Sequence, residues 1–309
     1  MTHDGPAAMS AAPLTRLAPA KINLFLHVTG RRAAGSSHAG YHELESLVVF
    51  ARDEAACDSI SVVAADSLSL ALQGPQAAAL QAASQQDGTD NLVMRAAHLL
   101  QPLAAATQTG AEITLAKSLP VASGIGGGSS DAAAALHALR ALWNIAIDDD
   151  ALTQLSLQLG ADLPVCLAGR AAVMSGIGET IAPAPDLPPF WLVLANPGVA
   201  LASREVFSAL AGQFGPAMPL ERRPDSAADL AILLRARRND LEAPARYLVP
   251  EIDPVLAALR AQAGCLLSRL SGSGATCFGL FASKREADFA ARNLSRAYPK
   301  WWVAATAAG

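Results

Sequence analysis

Residues 120–131 concentrate glycine and serine in the order Pro-Val-Ala-Ser-Gly-Ile-Gly-Gly-Gly-Ser-Ser-Asp. Phosphate oxygens bind several converging backbone N–H groups, and glycine lets the chain turn freely and approach a ligand without an intervening side chain. A helix directly after such a loop adds free N–H groups and the positive end of its dipole. Ser129 and Ser130 supply hydroxyls that can reach a phosphate or its Mg²⁺. The stretch therefore predicts a phosphate-binding loop.

Two better-known phosphate loops do not fit this stretch. A P-loop ends in Gly-Lys-Ser/Thr, whereas no lysine follows the glycines here. A dinucleotide fingerprint requires G-x-G-x-x-G, but Ser129 occupies the third glycine position after Gly124 and Gly126. The remaining alternative, a flexible loop before an N-capped helix, does not explain four glycines between a proline and that helix.

Two further side chains suit phosphoryl transfer, which needs positioning, charge neutralisation and a group that accepts a hydroxyl proton. Lys21 is the single charged residue within the apolar stretch 18–26, so its ammonium either reaches back to solvent or faces a site. Asp162, in a Gly-Ala-Asp-Leu-Pro segment, is either a base or the cap of a turn. The residues alone leave both alternatives open.

Tyr41 and His42 are a candidate pair for binding a nucleobase. A base offers a flat face for stacking and an edge for hydrogen bonds, and an adjacent tyrosine and histidine serve both. The alternative is a strand tyrosine packed in the core. The other histidines and the four cysteines show no metal-ligand spacing, so no metal site built from protein side chains is predicted.

The sequence pattern predicts a mixed α+β order of elements around these residues. Apolar alternation and apolar runs predict strands over residues 16–28 (leaving a turn at Pro19), 41–50, 58–63, 111–115, 190–195 and 276–281. Helical spacing predicts helices over residues 93–100, after the glycine stretch, over 225–238 and 254–262, and from Lys284 onward. Ser129 or Ser130 is expected to cap the helix after the glycine stretch, with Asp131 in its first turn. Residues 30–40 are expected to form a loop.

Bulk composition bounds the class of protein. The chain has 309 residues, 52% of them hydrophobic and 16% charged, which suits two ordinary domains, and the proline cluster over 183–189 predicts their boundary. A net charge of −4 disfavours a nucleic-acid partner. No apolar run reaches the length of a membrane span, and residues 1–13 read as a frayed terminus, not a signal peptide. Four scattered cysteines beside apolar residues predict free thiols, and we expect a cytoplasmic protein.

The ordered motifs of this chain resemble those of the GHMP kinases, a superfamily of small-molecule kinases. The glycine stretch is similar to their second motif. Within the superfamily, further motifs are most similar to those of kinases acting on 4-diphosphocytidyl-2-C-methyl-D-erythritol: Ala-Pro-Ala-Lys-Ile-Asn (18–23), Gly-Tyr-His-Glu-Leu (40–44), Gly-Ala-Asp-Leu-Pro-Val (160–165) and Ser-Arg-Leu-Ser-Gly-Ser-Gly-Ala-Thr (268–276). The resemblance spans about residues 16–281 and departs in residues 31–40, where this chain has a longer loop.

The resemblance implies the two-domain α+β GHMP kinase fold, with the active site in the cleft between residues 14–185 and residues 186–309. It implies ATP-dependent phosphorylation of the substrate 2-hydroxyl in the non-mevalonate isoprenoid precursor pathway, with Mg²⁺ as cofactor. It further implies that the matching aspartate, Asp162, is the base and that the matching lysine, Lys21, polarises the hydroxyl. The matching substrate-binding positions are Asn23, Tyr41, His42, Gly272, Ser273 and Gly274. The matching ATP-binding positions are Asn91, Leu92, Lys117, Pro120, Val121, Ala122, Ser123, Gly124, Ile125, Gly126, Gly127, Gly128, Ser129 and Ser130.

Two alternatives remain open beside this reading. One is another GHMP kinase, such as a mevalonate or homoserine kinase, against which Tyr41 and His42 argue because those substrates have no base to stack. The other is an inactive nucleotide-binding regulator, against which Lys21 and Asp162 argue. The expected partner is a small molecule carrying a cytidine diphosphate group, without nucleic acid or membrane, and the chain is expected to be a monomer or homodimer.

Overall fold

The computed structural model describes residues 12–33, 35, 39–87, 91–105, 109–210, 212 and 214–309. Within these ranges the strands are β1 (Leu14–Pro19), β2 (Lys21–Arg31), β3 (His42–Phe50), β4 (Cys57–Ala65), β5 (Leu68–Gln73), β6 (Gly110–Ala116), β7 (Ala172–Gly176), β8 (Thr180–Pro183), β9 (Trp191–Asn196), β10 (Leu267–Leu270), β11 (Cys277–Phe281) and β12 (Trp302–Ala307). The α-helices are α1 (Ala77–Asp87), α2 (Leu92–Leu100), α3 (Gly127–Leu142), α4 (Asp149–Ser156), α5 (Leu163–Ala168), α6 (Ser203–Ala209), α7 (Ala227–Arg235), α8 (Glu242–Leu248), α9 (Ile252–Arg260) and α10 (Lys284–Ala297).

The described strands form three sheets of four strands each. Their orders are β1-β4-β6-β5, β2-β3-β7-β8 and β10-β11-β9-β12. All pairings are antiparallel except that of β5 with β6, which is parallel and is reached through α1 and α2. The chain is therefore a mixed α+β fold, as the sequence pattern predicts.

Helix α3, which follows the glycine stretch, packs against α2, β1 and β4. Its buried positions are mostly alanine, with Leu136 and Leu139 completing the buried face. Alanine is the best helix former and carries no side chain beyond Cβ, so the helix lies close to the sheet at little cost. Helix α3 is thereby held firmly against the sheet that contains β1 and β4.

A second apolar cluster joins the sheet containing β2 and β3 to the sheet containing β9 and β11. Phe25 and Leu47 on one side pack in the same buried group as Phe190 and Phe278 on the other. The proline-rich segment lies between β8 and β9, at the point where the chain leaves one sheet and enters the other. The two sheets share a core across this point, so the packing does not mark a boundary there. The predicted division between residues 185 and 186 stays a prediction.

The predicted helices and strands are present, with three corrections. The strand predicted over residues 16–28 is divided between β1 and β2, which lie in different sheets, and the start of the predicted 30–40 loop, Gly30 and Arg31, belongs to β2.

The third correction concerns the start of α3. Gly126 (φ 63°) is the N-cap, whereas Ser129 and Ser130 already lie within the helix. Asp131 is not in the first turn, and its carboxylate binds Lys117 instead of the helix end. The serine-cap prediction is wrong because a left-handed glycine turns the chain into the helix earlier than a side-chain cap requires.

Several chain-wide expectations have partial outcomes. The frayed-terminus expectation falls mostly on residues 1–11, and part of the 30–40 loop on residues 34 and 36–38; these lie outside the described residues. The four cysteines are free thiols, three buried and Cys265 half-buried. In the described part of the chain, no helix is both long and apolar enough to cross a membrane. The expected compartment and oligomeric state stay predictions.

Candidate active site

A cavity of about 380 Å³ brings together motifs that are far apart in the chain. Its wall includes the start of β2, the glycine stretch, the residue before α5 and the turn after β10. The predicted site residues on this wall are Lys21, Asn23, Leu92, Pro120, Ala122, Ser123, Gly124, Gly126, Gly127, Gly128, Ser129, Asp162, Gly272 and Ser273.

Lys21 and Asp162 form an ion pair on the cavity wall. The Lys21 Nζ atom lies 2.9 Å from Asp162 Oδ2, and the side chains are 5% and 42% exposed, respectively. Asp162 directly precedes α5, but its side chain makes no capping hydrogen bond to that helix. The turn-cap alternative and the solvent-directed lysine therefore do not describe these side chains. The accessible carboxylate can accept a hydroxyl proton. The anchored ammonium beside it can stabilise the negative charge that develops on the oxygen.

The glycine stretch is held in place by close backbone contacts. Gly124 (φ 75°) lies so near the turn after β10 that a Cβ there would be 2.4 Å from the Gly274 nitrogen. Gly126 lies against Lys21, because a Cβ there would be 3.1 Å from the Lys21 Cβ. The backbone of Lys21 also donates a 2.8 Å hydrogen bond to the Ile125 carbonyl. These contacts leave the first N–H groups of α3, a helix of 16 residues, at the cavity, where they suit an anion.

The turn after β10 is fastened to the glycine stretch through a serine. The Ser271 hydroxyl accepts a hydrogen bond from the Asn23 backbone N–H and lies 3.2 Å from the Gly124 carbonyl, to which it donates. The Asn23 side chain donates to the Ser46 hydroxyl at 2.7 Å, and its Oδ1 atom faces Gly272. The asparagine is therefore fixed in orientation beside the lysine and aspartate pair.

His42 stacks on an aromatic ring that the sequence analysis did not identify. Its ring centroid is 5.0 Å from that of Phe207, and the Phe214 centroid is 5.9 Å away in an edge-to-face arrangement. Desolvation lowers the pKa of His42, and the neighbouring Arg31 lowers it further, so the imidazole is neutral at pH 7 and has one donor and one acceptor. Tyr41 is 57% exposed, which excludes the core-packed alternative.

Some predicted site residues do not reach the cavity wall. Asn91 caps α2 by accepting a hydrogen bond from the Val93 N–H, and Lys117 is buried between two aspartates. Ser130 donates to the sulfur of Cys166. The other predicted residues that do not line the cavity are Tyr41, His42, Val121, Ile125 and Gly274.

Other wall residues were missed by sequence reasoning. They are Leu26, Leu44, Met174, Leu201, Ala202, Ser203, Phe207 and Leu241. Most are aliphatic residues that look like ordinary core positions in a sequence. Phe207 lies on the short helix α6, and no local pattern links it to His42, 165 positions earlier in the numbering. Folding alone brings them together.

The cavity wall can bind a magnesium ion that enters together with a nucleotide. Within the described ranges, no group of three or more His, Cys, Asp or Glu side chains could hold a metal ion. Mg²⁺ keeps several waters and binds through phosphates plus one or two protein oxygens, so a dedicated cage is not required. Ser129 carries a hydroxyl on the wall and fits this demand.

Two family descriptions match parts of this chain, and curated proteins match nearly all of it. The family description "GHMP kinases N terminal domain" matches residues 91–170, and "GHMP kinases C terminal" matches residues 221–300. A 4-diphosphocytidyl-2-C-methyl-D-erythritol kinase of Parvibaculum lavamentivorans is 51% identical over 302 residues, covering 97% of this chain and 99% of that protein. The corresponding kinase of Rhodospirillum rubrum is 49% identical, with 99% and 95% covered.

Solved structures extend the comparison. A crystal structure of a 4-(cytidine 5'-diphospho)-2C-methyl-D-erythritol kinase has a TM-score of 0.74 at 37% identity, covering 96% of this chain and 99% of that one. A homoserine kinase from Cytophaga hutchinsonii has a TM-score of 0.63 at 17% identity over 93% of this chain and 94% of that one, which shows a shared fold alone.

Proposed function

Because the chain belongs to the GHMP kinases, and within them to the 4-diphosphocytidyl-2-C-methyl-D-erythritol kinase family, we propose that it phosphorylates that substrate. The γ-phosphoryl group of ATP is transferred to the 2-hydroxyl, in the non-mevalonate route to isoprenoid precursors. The observation that carries the proposal is the Lys21 and Asp162 pair, 2.9 Å apart, on one cavity wall with the glycine stretch.

In this proposal Asp162 is the general base. The substrate oxygen attacks the γ-phosphorus, its proton passes to the Asp162 carboxylate, and the bond between the γ-phosphorus and the β,γ-bridging oxygen breaks to release ADP. Lys21 stabilises both the carboxylate before transfer and the developing negative charge on the substrate oxygen. The 42% exposure of Asp162 supports this role, because a base must be within reach of the hydroxyl.

The phosphates of ATP are proposed to bind at the glycine stretch. The backbone N–H groups at the start of α3, at Gly127, Gly128 and Ser129, supply donors and the positive end of the helix dipole. Mg²⁺, when bound, would neutralise phosphate charge, and the Ser129 hydroxyl would help to hold it. The adenine is proposed to lie near Leu92, the wall residue at the start of α2.

The cytosine is proposed to bind next to the Phe207 end of the cavity, beside the wall, where His42 stacks on Phe207. His42 reads its edge, Tyr41 stacks on its face, and Phe207 supports the His42 ring. Asn23 and the turn of Gly272 and Ser273 are proposed to contact the remainder of the substrate. This end distinguishes the proposal from other GHMP kinases, whose substrates lack a base.

A coupled assay of ADP release over a substrate panel tests the proposal. The panel contains the cytidine substrate, its uridine analogue, mevalonate and homoserine. Only the cytidine substrate is expected to be used well, because uridine replaces the 4-amino donor and the N3 acceptor and leaves site groups unpaired. Equal use of cytidine and uridine substrates would contradict base recognition, and preferred use of mevalonate or homoserine would indicate another GHMP kinase.

Replacing Tyr41 tests the stacking contact by itself. One base–aromatic stack contributes about 1–3 kcal/mol, so Tyr41→Ala should lower kcat/KM for the cytidine substrate by about 5- to 150-fold. Tyr41→Phe, the matched control, keeps the ring and should be nearly silent. The affinity for ATP should not change in either variant. Wild-type kcat/KM in Tyr41→Ala would remove the tyrosine from the substrate site.

A further inference from the structure

Three charged side chains are sealed under the glycine stretch. Lys117 Nζ lies 2.6 Å from Asp58 Oδ2 on β4 and 2.6 Å from Asp131 Oδ2 on α3. None of the three side chains is more than 3% exposed. Asp58 Oδ1 also accepts hydrogen bonds from the Ser118 and Leu119 backbone N–H groups. This buried triad ties β4, the end of β6 and the start of α3 at one point.

Stability alone does not account for the buried triad. Burying a carboxylate is costly unless its partners are complete, and well-packed apolar residues often stabilise a core as well as ion pairs do. Here two carboxylates share one ammonium, and Asp131 Oδ1 has no hydrogen-bond partner among the described residues. Natural interiors rarely keep such a group, so its presence requires another explanation.

The buried triad also touches the phosphate loop. Gly127 lines the cavity, and a Cβ at this glycine would be 3.1 Å from Lys117 Nζ and 3.8 Å from Asp58 Oδ2. The ammonium therefore supports the first residue of α3 from within the protein. The triad carries a net charge of −1 when both carboxylates are ionised and zero when Asp131 is protonated, so in neither state does it attract phosphate by charge. Its contribution to phosphate binding must then come from geometry.

We propose that Asp58 and Asp131 are positioning residues that hold the Lys117 ammonium against Gly127 and so fix the phosphate-binding N–H groups of α3. Lys117 acts through the loop backbone and does not contact the nucleotide. The inference rests on the proposed function for the ligand, a nucleoside triphosphate. Loosening the buried triad should therefore weaken nucleotide binding without slowing the chemical step.

Two substitutions at Asp131 test whether its side chain acts by holding the Lys117 ammonium in place. Asp131→Ala removes one anchor of the lysine and should raise the Kd of a non-hydrolysable ATP analogue about tenfold or more, the loss expected for one charge-assisted hydrogen bond. At saturating ATP, kcat and the KM for the cytidine substrate should stay within about threefold. Asp131→Asn keeps an acceptor oxygen for Lys117 and should restore the Kd to within about threefold of wild type. Calorimetric titration and steady-state kinetics measure these quantities.

One control variant and one further test variant complete the experiment. Asp149→Ala removes a carboxylate that pairs with Arg140 at 2.6 Å but is 87% exposed, and it should leave the Kd unchanged. Lys117→Arg keeps the charge but enlarges the group facing Gly127, so it should also weaken binding about tenfold. If circular dichroism shows Asp131→Ala unfolded, Lys117→Arg decides alone. Unchanged affinity in the folded variant overturns the inference, as does an equal loss in Asp149→Ala.

The wild-type protein separates this inference from the proposed function. Wild type that binds the ATP analogue but fails to phosphorylate the cytidine substrate overturns the proposed substrate and leaves the positioning inference standing. Wild type that binds no ATP analogue overturns both.

Discussion

Lys21 and Lys117 both place a nearly buried ammonium against aspartate, but their surroundings differ. Lys21 meets one carboxylate, that of Asp162, which is 42% exposed on the cavity wall. Lys117 meets two carboxylates that are at most 3% exposed and lie behind Gly127. Proton exchange with a substrate requires an accessible base, whereas a sealed group can only hold other atoms in place. Exposure of the carboxylate, not residue type, therefore separates the proposed chemistry from the proposed positioning.

The largest expected effect comes from making the same substitution at both sites. Asp162→Asn removes the proposed base and should lower kcat by roughly 10²–10⁴-fold while ATP binding is retained. Asp131→Asn should change kcat by less than about threefold, since its carboxylate is not available to substrate. Steady-state assays at saturating ATP compare the two. Near-normal kcat in Asp162→Asn would contradict its role as the base. A large loss of kcat in Asp131→Asn would contradict a role limited to positioning.

A smaller effect, on nucleotide affinity, is expected from substitutions in the glycine stretch, which lies between the Lys21 and Lys117 ion pairs. A Cβ at Gly128 would meet no described atom within 4 Å, so Gly128→Val should remain folded while its side chain enters the proposed phosphate space. A Cβ at Gly126 (φ 63°) would press on Lys21 in a left-handed conformation that costs roughly 1–2 kcal/mol. Gly126→Val should therefore lower both thermal stability and nucleotide affinity.

Both loop variants should weaken binding of the ATP analogue by at least about tenfold, which corresponds to 1.4 kcal/mol. Calorimetric titration measures the affinity, and thermal unfolding shows which variant also loses stability. Gly128→Val with wild-type affinity would mean that the phosphates bind elsewhere.

The smallest expected effect is a pH dependence of stability from the buried triad. Burial raises the pKa of Asp131 to about 7; the facing Lys117 ammonium opposes this rise, and the Asp58 carboxylate adds to it. The neighbouring Cys166 thiol stays neutral, because burial raises its pKa to about 12. A raised folded pKa stabilises the protein below the unfolded value near 4, and this contribution is lost as pH rises through about 7.

Asp131→Asn removes this titration. The Tm of the variant minus the Tm of wild type should therefore increase by a few degrees from about pH 5 to pH 8. The scale follows because 1 kcal/mol shifts Tm by roughly 2–4 °C in proteins of 150–250 residues. Asp149→Asn, at the exposed pair, should show no such trend over the same range, because its carboxyl has a pKa lowered by the Arg140 hydrogen bond. A constant Tm difference across these pH values would contradict the assignment at Asp131.

The sequence predicted the parts of the site that depend on local composition. The glycines of residues 120–131 predict a phosphate loop, and the structure places most of this stretch on the cavity wall, where phosphate binding stays a prediction. Alternating and helical patterns likewise predict about half of the described strands and helices; the others, such as β7, β8 and α6, were not predicted. The serine cap of α3 was wrong, because serine and a left-handed glycine both start helices and the neighbouring backbone decides between them.

Only the tertiary structure decided which charged groups meet. Lys21 and Asp162 are 141 positions apart, and Lys117 and Asp58 are 59 positions apart. No local pattern states that the first pair faces a cavity and the second is sealed. The sequence determined residue types, element order and the glycine loop, because these follow from short-range conformational preference and hydrophobic period. Burial, and with it the division between an accessible base and a buried support, follows from how the sheets and α3 pack together.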